Sequence, residues 1–193
     1  MRKTICFMMI SPEGYFEGPN HDLSWHNVDD EFNEFAINQM KEVDLILFGR
    51  RMYKTMEDYW PQAEDNLEMS KKDLEIAHRM NNMKKIVYSK TLKSVRNHKN
   101  WKNVTIKRNF NPNEIRSLKA QKGKLIWVGG PTFALNLIKE NLIDEFRLII
   151  NPVLVGKGNT LFKGLNKRVK LKLIKSRVFK SGNVLLYYRP IKL

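Results

Sequence analysis

Six short runs rich in β-branched and aromatic residues, separated by stretches of helical periodicity, restrict what this chain can become. They are Lys3–Ile10, Leu45–Gly49, Lys85–Ser89, Val104–Arg108, Leu125–Val128 and Glu145–Asn151. Between them, Asp29–Val43 sets Phe32, Phe35, Ala36, Met40 and Val43 on one stripe, and Asn113–Ala120 and Thr132–Glu140 read as further helices. Strand–helix alternation predicts an α/β protein with a mostly parallel central sheet and helices on both faces. From Leu171 the pattern changes to LKLIKSRVFKSGNVLLYYRP, which predicts an antiparallel C-terminal hairpin turning at Ser181–Asn183. Gln62–Met83, rich in Glu, Asn, Lys and Met, reads as an exposed helical excursion without a motif.

No linker or repeat divides the 193 residues, so one domain, 1–193, is expected. The one cysteine, Cys6, excludes an internal disulfide and a multi-cysteine metal site, which fits a reducing, cytoplasmic compartment. The four histidines, His21, His26, His78 and His98, lack ligand spacing, so no metal is expected. The apolar run Ile5–Ile10 falls far short of the roughly 20 residues of a membrane span, and no membrane role is expected. Charge is unevenly distributed. Residues 1–83 hold 9 basic and 16 acidic side chains, whereas residues 84–193 hold 26 and 4, so the second half invites an anionic partner. Nucleic acid is disfavoured as that partner, because basic and aromatic residues are not interleaved as in RNA-binding modules and no helix-turn-helix is visible.

Three strand ends carry phosphate-compatible chemistry. LILFGRR ends in Gly49, Arg50 and Arg51 where a helix can begin; KIVYSKTL ends in Ser89, Lys90 and Thr91; LIWVGGPTF carries Val128, Gly129 and Gly130 into a helix opened by Pro131 and Thr132. Open α/β sheets bind ligands beyond the carboxyl ends of their strands, so the three ends together suggest a dinucleotide site. It is not the G-x-G-x-x-G fingerprint. Arg50, Arg51 and Lys90 favour a 2′-phosphate, hence NADPH over NADH.

The order SPEGYFEGP, Trp25, LILFGRRMY, KIVYSKTL and VGGPTFALNLIKENLIDEFRLIINPVLVGKGNTLF resembles the dihydrofolate-reductase-like superfamily, in the branch of the C-terminal reductase domain of bacterial riboflavin biosynthesis. The likeness runs from Lys3 to Arg189. It implies a reductase fold holding NADPH at Gly49–Arg50, Ser89–Thr91 and Gly129–Thr132. The family's Ser-Leu-Asp-Gly segment stands here as Ser11-Pro12-Glu13-Gly14, so Pro and Glu replace its Leu and Asp. The zinc deaminase that accompanies this reductase in the bifunctional riboflavin enzyme has no signature here.

Hydride delivery to a C=N or C=O bond also requires a proton, and a carboxyl with a raised pKa is one source. In dihydrofolate reductases a carboxylate on the first helix serves the pterin. Asp29, Asp30 and Glu31 compete for that place, and Glu31, one turn before Phe35, is the choice, with first-turn dipole stabilisation as the bland alternative. The substrate is then expected between a lid, Ser11–His26, and the first helix, near Gly14, Trp25 and Phe35. Tyr53, Tyr59 and Trp60 are expected to pack the core. The whole reads as an NADPH-dependent reductase of a small heterocycle, of riboflavin-pathway pyrimidine or pteridine type, and as a homodimer. A noncatalytic nucleotide- or polyanion-binding protein on the same fold is the alternative.

Overall fold

The computed structural model describes residues 1–191. Its strands and helices follow in the order β1 Thr4–Ile10, β2 Tyr15–Glu17, α1 Asp30–Lys41, β3 Val43–Gly49, α2 Arg50–Asp65, α3 Lys71–Asn82, β4 Lys84–Tyr88, β5 Val104–Lys107, α4 Pro112–Ala120, β6 Leu125–Gly129, α5 Pro131–Lys139, β7 Glu145–Ile150, β8 Asn159–Thr160, β9 Leu171–Val178 and β10 Val184–Pro190. Eight strands form one sheet in the order β5-β4-β3-β6-β1-β7-β10-β9, parallel from β5 to β7 and antiparallel at β10 and β9. A small pair, β2 with β8, stands apart.

The strands read as apolar runs because both faces are covered. Along β3, Leu45 and Leu47 enter the core shared with α4 and α5, while Ile46 and Phe48 enter the one beneath α1, α2 and α3. β6 divides likewise, Ile126 and Val128 against Leu125 and Trp127. A third cluster joins Phe32 and Phe35 of α1 to Ile149, Phe179, Leu185 and Tyr187, and so seats the first helix on the hairpin.

Helix starts follow local chemistry. Asp29 accepts a hydrogen bond from Phe32 N at 2.7 Å and Ser70 one from Asp73 N, so both act as N-caps. Segment 62–83 departs from the expected exposed excursion. It comprises the end of α2 and all of α3, which buries Ile76, Ala77, Met80 and Asn81 against α1 and α2. Its polar residues are the outer face of a packed helix. Of the three aromatics after Gly49, Tyr53 is fully buried and Trp60 partly so, while Tyr59 is exposed.

Candidate functional site

At the carboxyl ends of the central strands, two glycines bring two helix starts together. β3 and β6 are parallel neighbours with Phe48 opposite Gly129. Gly49 is the N-cap of α2, and a Cβ there would lie 3.1 Å from Phe133 Cβ of α5. Gly130 is the N-cap of α5, with φ +91°, and a Cβ there would lie 2.8 Å from Met52 Cβ of α2. A side chain at Gly129 would strike the Phe48 ring. Neither helix has a side-chain cap or an acidic residue in its first turn. Their leading N–H groups and positive dipole ends are therefore available to an anion at this junction. Arg50 is exposed beside it, and Val128 and Pro131 are buried under it.

Strand β4 ends at the same junction. The Tyr88 ring stacks on Phe133, with centroids 5.1 Å apart and planes at 17°, which ties β4 to the start of α5. Ser89 is placed differently from expectation. Its Oγ accepts from Leu92 N at 2.9 Å and Thr91 N at 3.3 Å, so the hydroxyl shapes the turn, leaving Lys90 and Thr91 exposed beyond it. Thr132 is exposed in the first turn of α5.

The lid is a structured strap. Glu17 on β2 gathers Arg51 Nη2 at 3.2 Å, His21 Nδ1 at 3.0 Å and Asn159 Nδ2 at 2.7 Å. Arg51 thus ties the strap to α2, and Arg50 remains the arginine of this pair without an ion-pair partner among the described residues. Glu13, at the position of the family's Asp, accepts from Val155 N and Gly156 N, at 2.7 and 3.0 Å, and from Ser11 Oγ. Those hydrogen bonds hold its carboxyl below the usual range. Gly14, at φ +85°, closes the turn back to Ser11 O. Gly158 lets the second loop approach, since a Cβ there would sit 2.1 Å from Glu17 O. At its far end the strap is laced by Asn27, whose N–H donates to Asn151 Oδ1 and whose Nδ2 donates to Ser181 O.

The three expected substrate contacts separate. Gly14 lies in the β1–β2 turn. Trp25, partly buried in the strap, donates from Nε1 to Asp22 O and sets its ring edge against His26. Phe35 is core, packed among Phe7, Phe32 and Phe179. Glu31 does not have the surroundings of a proton donor. Its carboxylate accepts from Arg177 Nη2 at 2.7 Å and Lys180 N at 2.9 Å, and these partners hold its pKa low, where an acid requires it raised. Its rivals are also engaged: Asp29 caps α1 and Asp30 lies 3.4 Å from Lys72 Nζ.

Sequence reasoning missed Trp127. This β6 side chain meets Phe7 edge-on, and its buried Nε1–H has no acceptor. It lies two residues before Gly129 on the α1 side of the sheet, where an orphan donor marks a position for a ligand or water acceptor. Glu17 and Gly158 were also missed; the signal for the latter was the GKGN loop. Cys6 is fully buried and its thiol is pushed up to about 12, so it is no nucleophile.

Comparison with known proteins agrees with this fold. YyaP of Bacillus subtilis (strain 168), an uncharacterised protein, is 32% identical over 190 residues, covering 97% of this chain and 94% of its own. A protein of Shewanella sp. PV-4 provisionally assigned to riboflavin biosynthesis superposes with a TM-score of 0.73 at 23% identity, over 98% and 99% of the two chains. The deaminase/5-amino-6-(5-phosphoribosylamino)uracil reductase of Thermotoga maritima superposes with a TM-score of 0.66 at 13% identity; 98% of this chain matches 57% of that one. The profile of the RibD C-terminal domain matches residues 2–185, and the chain belongs to that family.

Proposed function

We propose that this protein is an NADPH-dependent reductase of a small heterocyclic substrate, of riboflavin-pathway pyrimidine or pteridine type. The observation that carries the reading is the junction at Gly49 and Gly130, where two uncapped helix starts meet beside Arg50. Its chemistry fits a dinucleotide pyrophosphate, because uncapped N–H groups recognise phosphate oxygens and no acidic first-turn residue opposes them. Arg50 and Lys90, both exposed at these strand ends, support a preference for a 2′-phosphate. Gly129 keeps the strand end bare and Thr132 offers a hydroxyl in the first turn of α5.

When bound, the dihydronicotinamide supplies a hydride. The chain's part is to bind the phosphates, to hold the acceptor between the strap and α1, and to exclude water with the strap that Arg51 and Asn27 fasten. The Trp127 N–H is available to an acceptor atom on the α1 side. Glu31, held ionised by Lys180 N and Arg177, is not the source of the proton. A noncatalytic nucleotide-binding role is the rival, favoured by the engagement of every first-turn carboxylate of α1.

Titration with NADPH and NADH at two salt concentrations, read by nicotinamide fluorescence, tests the proposal. Saturable binding selective for NADPH that persists at high salt is the expected result, with Arg50→Ala weakening NADPH about tenfold and NADH little. Absence of binding to either would make the glycine turns purely structural.

A further inference from the structure

At the opposite end of the sheet, a groove of about 1210 Å³ opens between the amino ends of β1 and β7, the loop after α5 and the foot of the hairpin. Its floor is apolar, with Leu142, Ile143 and Phe146 rising from the core. Eight of its lining side chains are Lys or Arg and three are Asp or Glu. All three acids are already engaged. Asp144 accepts from Lys119 Nζ at 2.6 Å and from Thr4 N, Glu145 accepts from Arg147 Nε at 2.7 Å, and Glu140 lies 3.8 Å from Arg116. Lys119 and Arg116 are taken by these acids and Lys167 donates to Lys139 O at 2.9 Å, so Lys3, Arg168, Lys170, Lys172 and Arg189 are left without a side-chain partner among the described residues.

The arrangement of these cations points outward. Lys172 and Arg189 are direct partners across the β9–β10 ladder, and Lys170 follows two residues along, where its carbonyl accepts from Ile191 N. Side chains so paired have Cβ atoms about 4.5–5.5 Å apart, and like charges there repel. An anion seated between them converts that repulsion into two charge-assisted hydrogen bonds. Lys3 and Arg168 bring positive charge to the same concavity from two other segments.

We propose that this groove is a binding site for a small anion carrying two or more phosphate groups, separate from the carboxyl-end site. Five unpaired cations from several segments exceed what one phosphate can engage. A single-stranded nucleic acid is disfavoured, because Phe146 is the one aromatic side chain in the lining and it is only 2% exposed, leaving bases no stacking face. The inference is independent of the NADPH reading.

Isothermal titration with inorganic tripolyphosphate is the test. Saturable binding is expected, weakening at least tenfold between roughly 50 and 200 mM NaCl. Lys172→Glu and Arg189→Glu are each expected to weaken it at least tenfold while leaving nicotinamide-cofactor binding as in the wild type. Arg189→Glu sets a carboxylate opposite Lys172, so the ligand-free variant is expected to melt no lower than the wild type, which separates lost binding from lost fold. The proposal is overturned if tripolyphosphate raises the wild-type Tm no more than NaCl of equal ionic strength, or if both variants bind it like the wild type. It is equally overturned if orthophosphate competes as well as tripolyphosphate, or if an oligonucleotide binds and tripolyphosphate does not displace it.

Discussion

Gly130 holds φ at +91° with Met52 against the space a Cβ would take, so a side chain there must displace the first turn of α2. Gly130→Ala is expected to lower stability by about 1–3 kcal/mol and NADPH affinity at least tenfold, as read by urea melts and fluorescence titration. Glu31→Gln is expected to leave the pH–rate profile unchanged, since its carboxylate holds Arg177 and Lys180 and not a proton. Its stabilising contribution is present above its unfolded pKa, near 4.5, and disappears as pH falls through the lowered folded value. Lys85 is the opposite kind of residue. Buried beneath Trp101, it donates to the carbonyls of Asn81, Met83 and Lys102, and burial pushes its ammonium down to about 7 from 10.5. The unfolded chain therefore keeps a proton that the folded one releases, and stability rises with pH across that window. Urea melts at pH 7, 8 and 9 should show the stability difference between wild type and Lys85→Met growing in favour of the wild type, by at most about 1.4 kcal/mol per pH unit. The role of Glu31 was not legible in sequence, because its partners lie about 150 residues away; the glycines of 129–130 were, because a strand end, a close approach and a helix start leave a local signature.

Among the elements, β3 and β6 were readable because burial on both faces leaves an unbroken apolar run. The burial of α3 was not, because a helix packed only along one side, against α1 and α2, mixes Ile76 and Met80 with Lys and Glu over the same dozen residues. The strap shows a further limit. Its glycines and prolines announced a loop, but the clasp that fastens it pairs Glu17 with Arg51, residues the sequence offered no reason to connect. Arg51→Ala removes a contact whose arginine side chain is 60% exposed, and such pairs contribute about 0–1 kcal/mol. The Tm is therefore expected to change little, whereas amide exchange of residues 15–21 is expected to accelerate severalfold, measured by hydrogen–deuterium exchange.

For the whole molecule, the alternation of strands and helices sufficed to give the parallel sheet, and the change of pattern after Leu171 its hairpin, yet neither gave the two-ended arrangement of a glycine junction and a basic groove. No helix among the described residues is long and apolar enough to cross a membrane. The homodimer remains a proposal. β9 exposes Leu173 and Ile174 at about half their surface and Val178 at 70%, on a terminal strand, and a second copy related by a two-fold axis would bury that apolar surface isologously. Light scattering after size exclusion should give twice the chain mass for the wild type and the monomer mass for Val178→Glu; a wild-type monomer would end that reading.

The position of β1 also governs how this chain can be made. Ile5 pairs with Trp127 on one side and Glu145 on the other, so β1, once translated, has neither of its sheet neighbours until more than 120 further residues exist. At about 5–20 residues per second, a ribosome leaves Thr4–Ile10, an apolar run with no Pro or Gly, unpaired for on the order of ten seconds. The centre of the sheet is therefore a late event in synthesis, and the nascent chain depends on whatever shields that segment until β6 and β7 emerge.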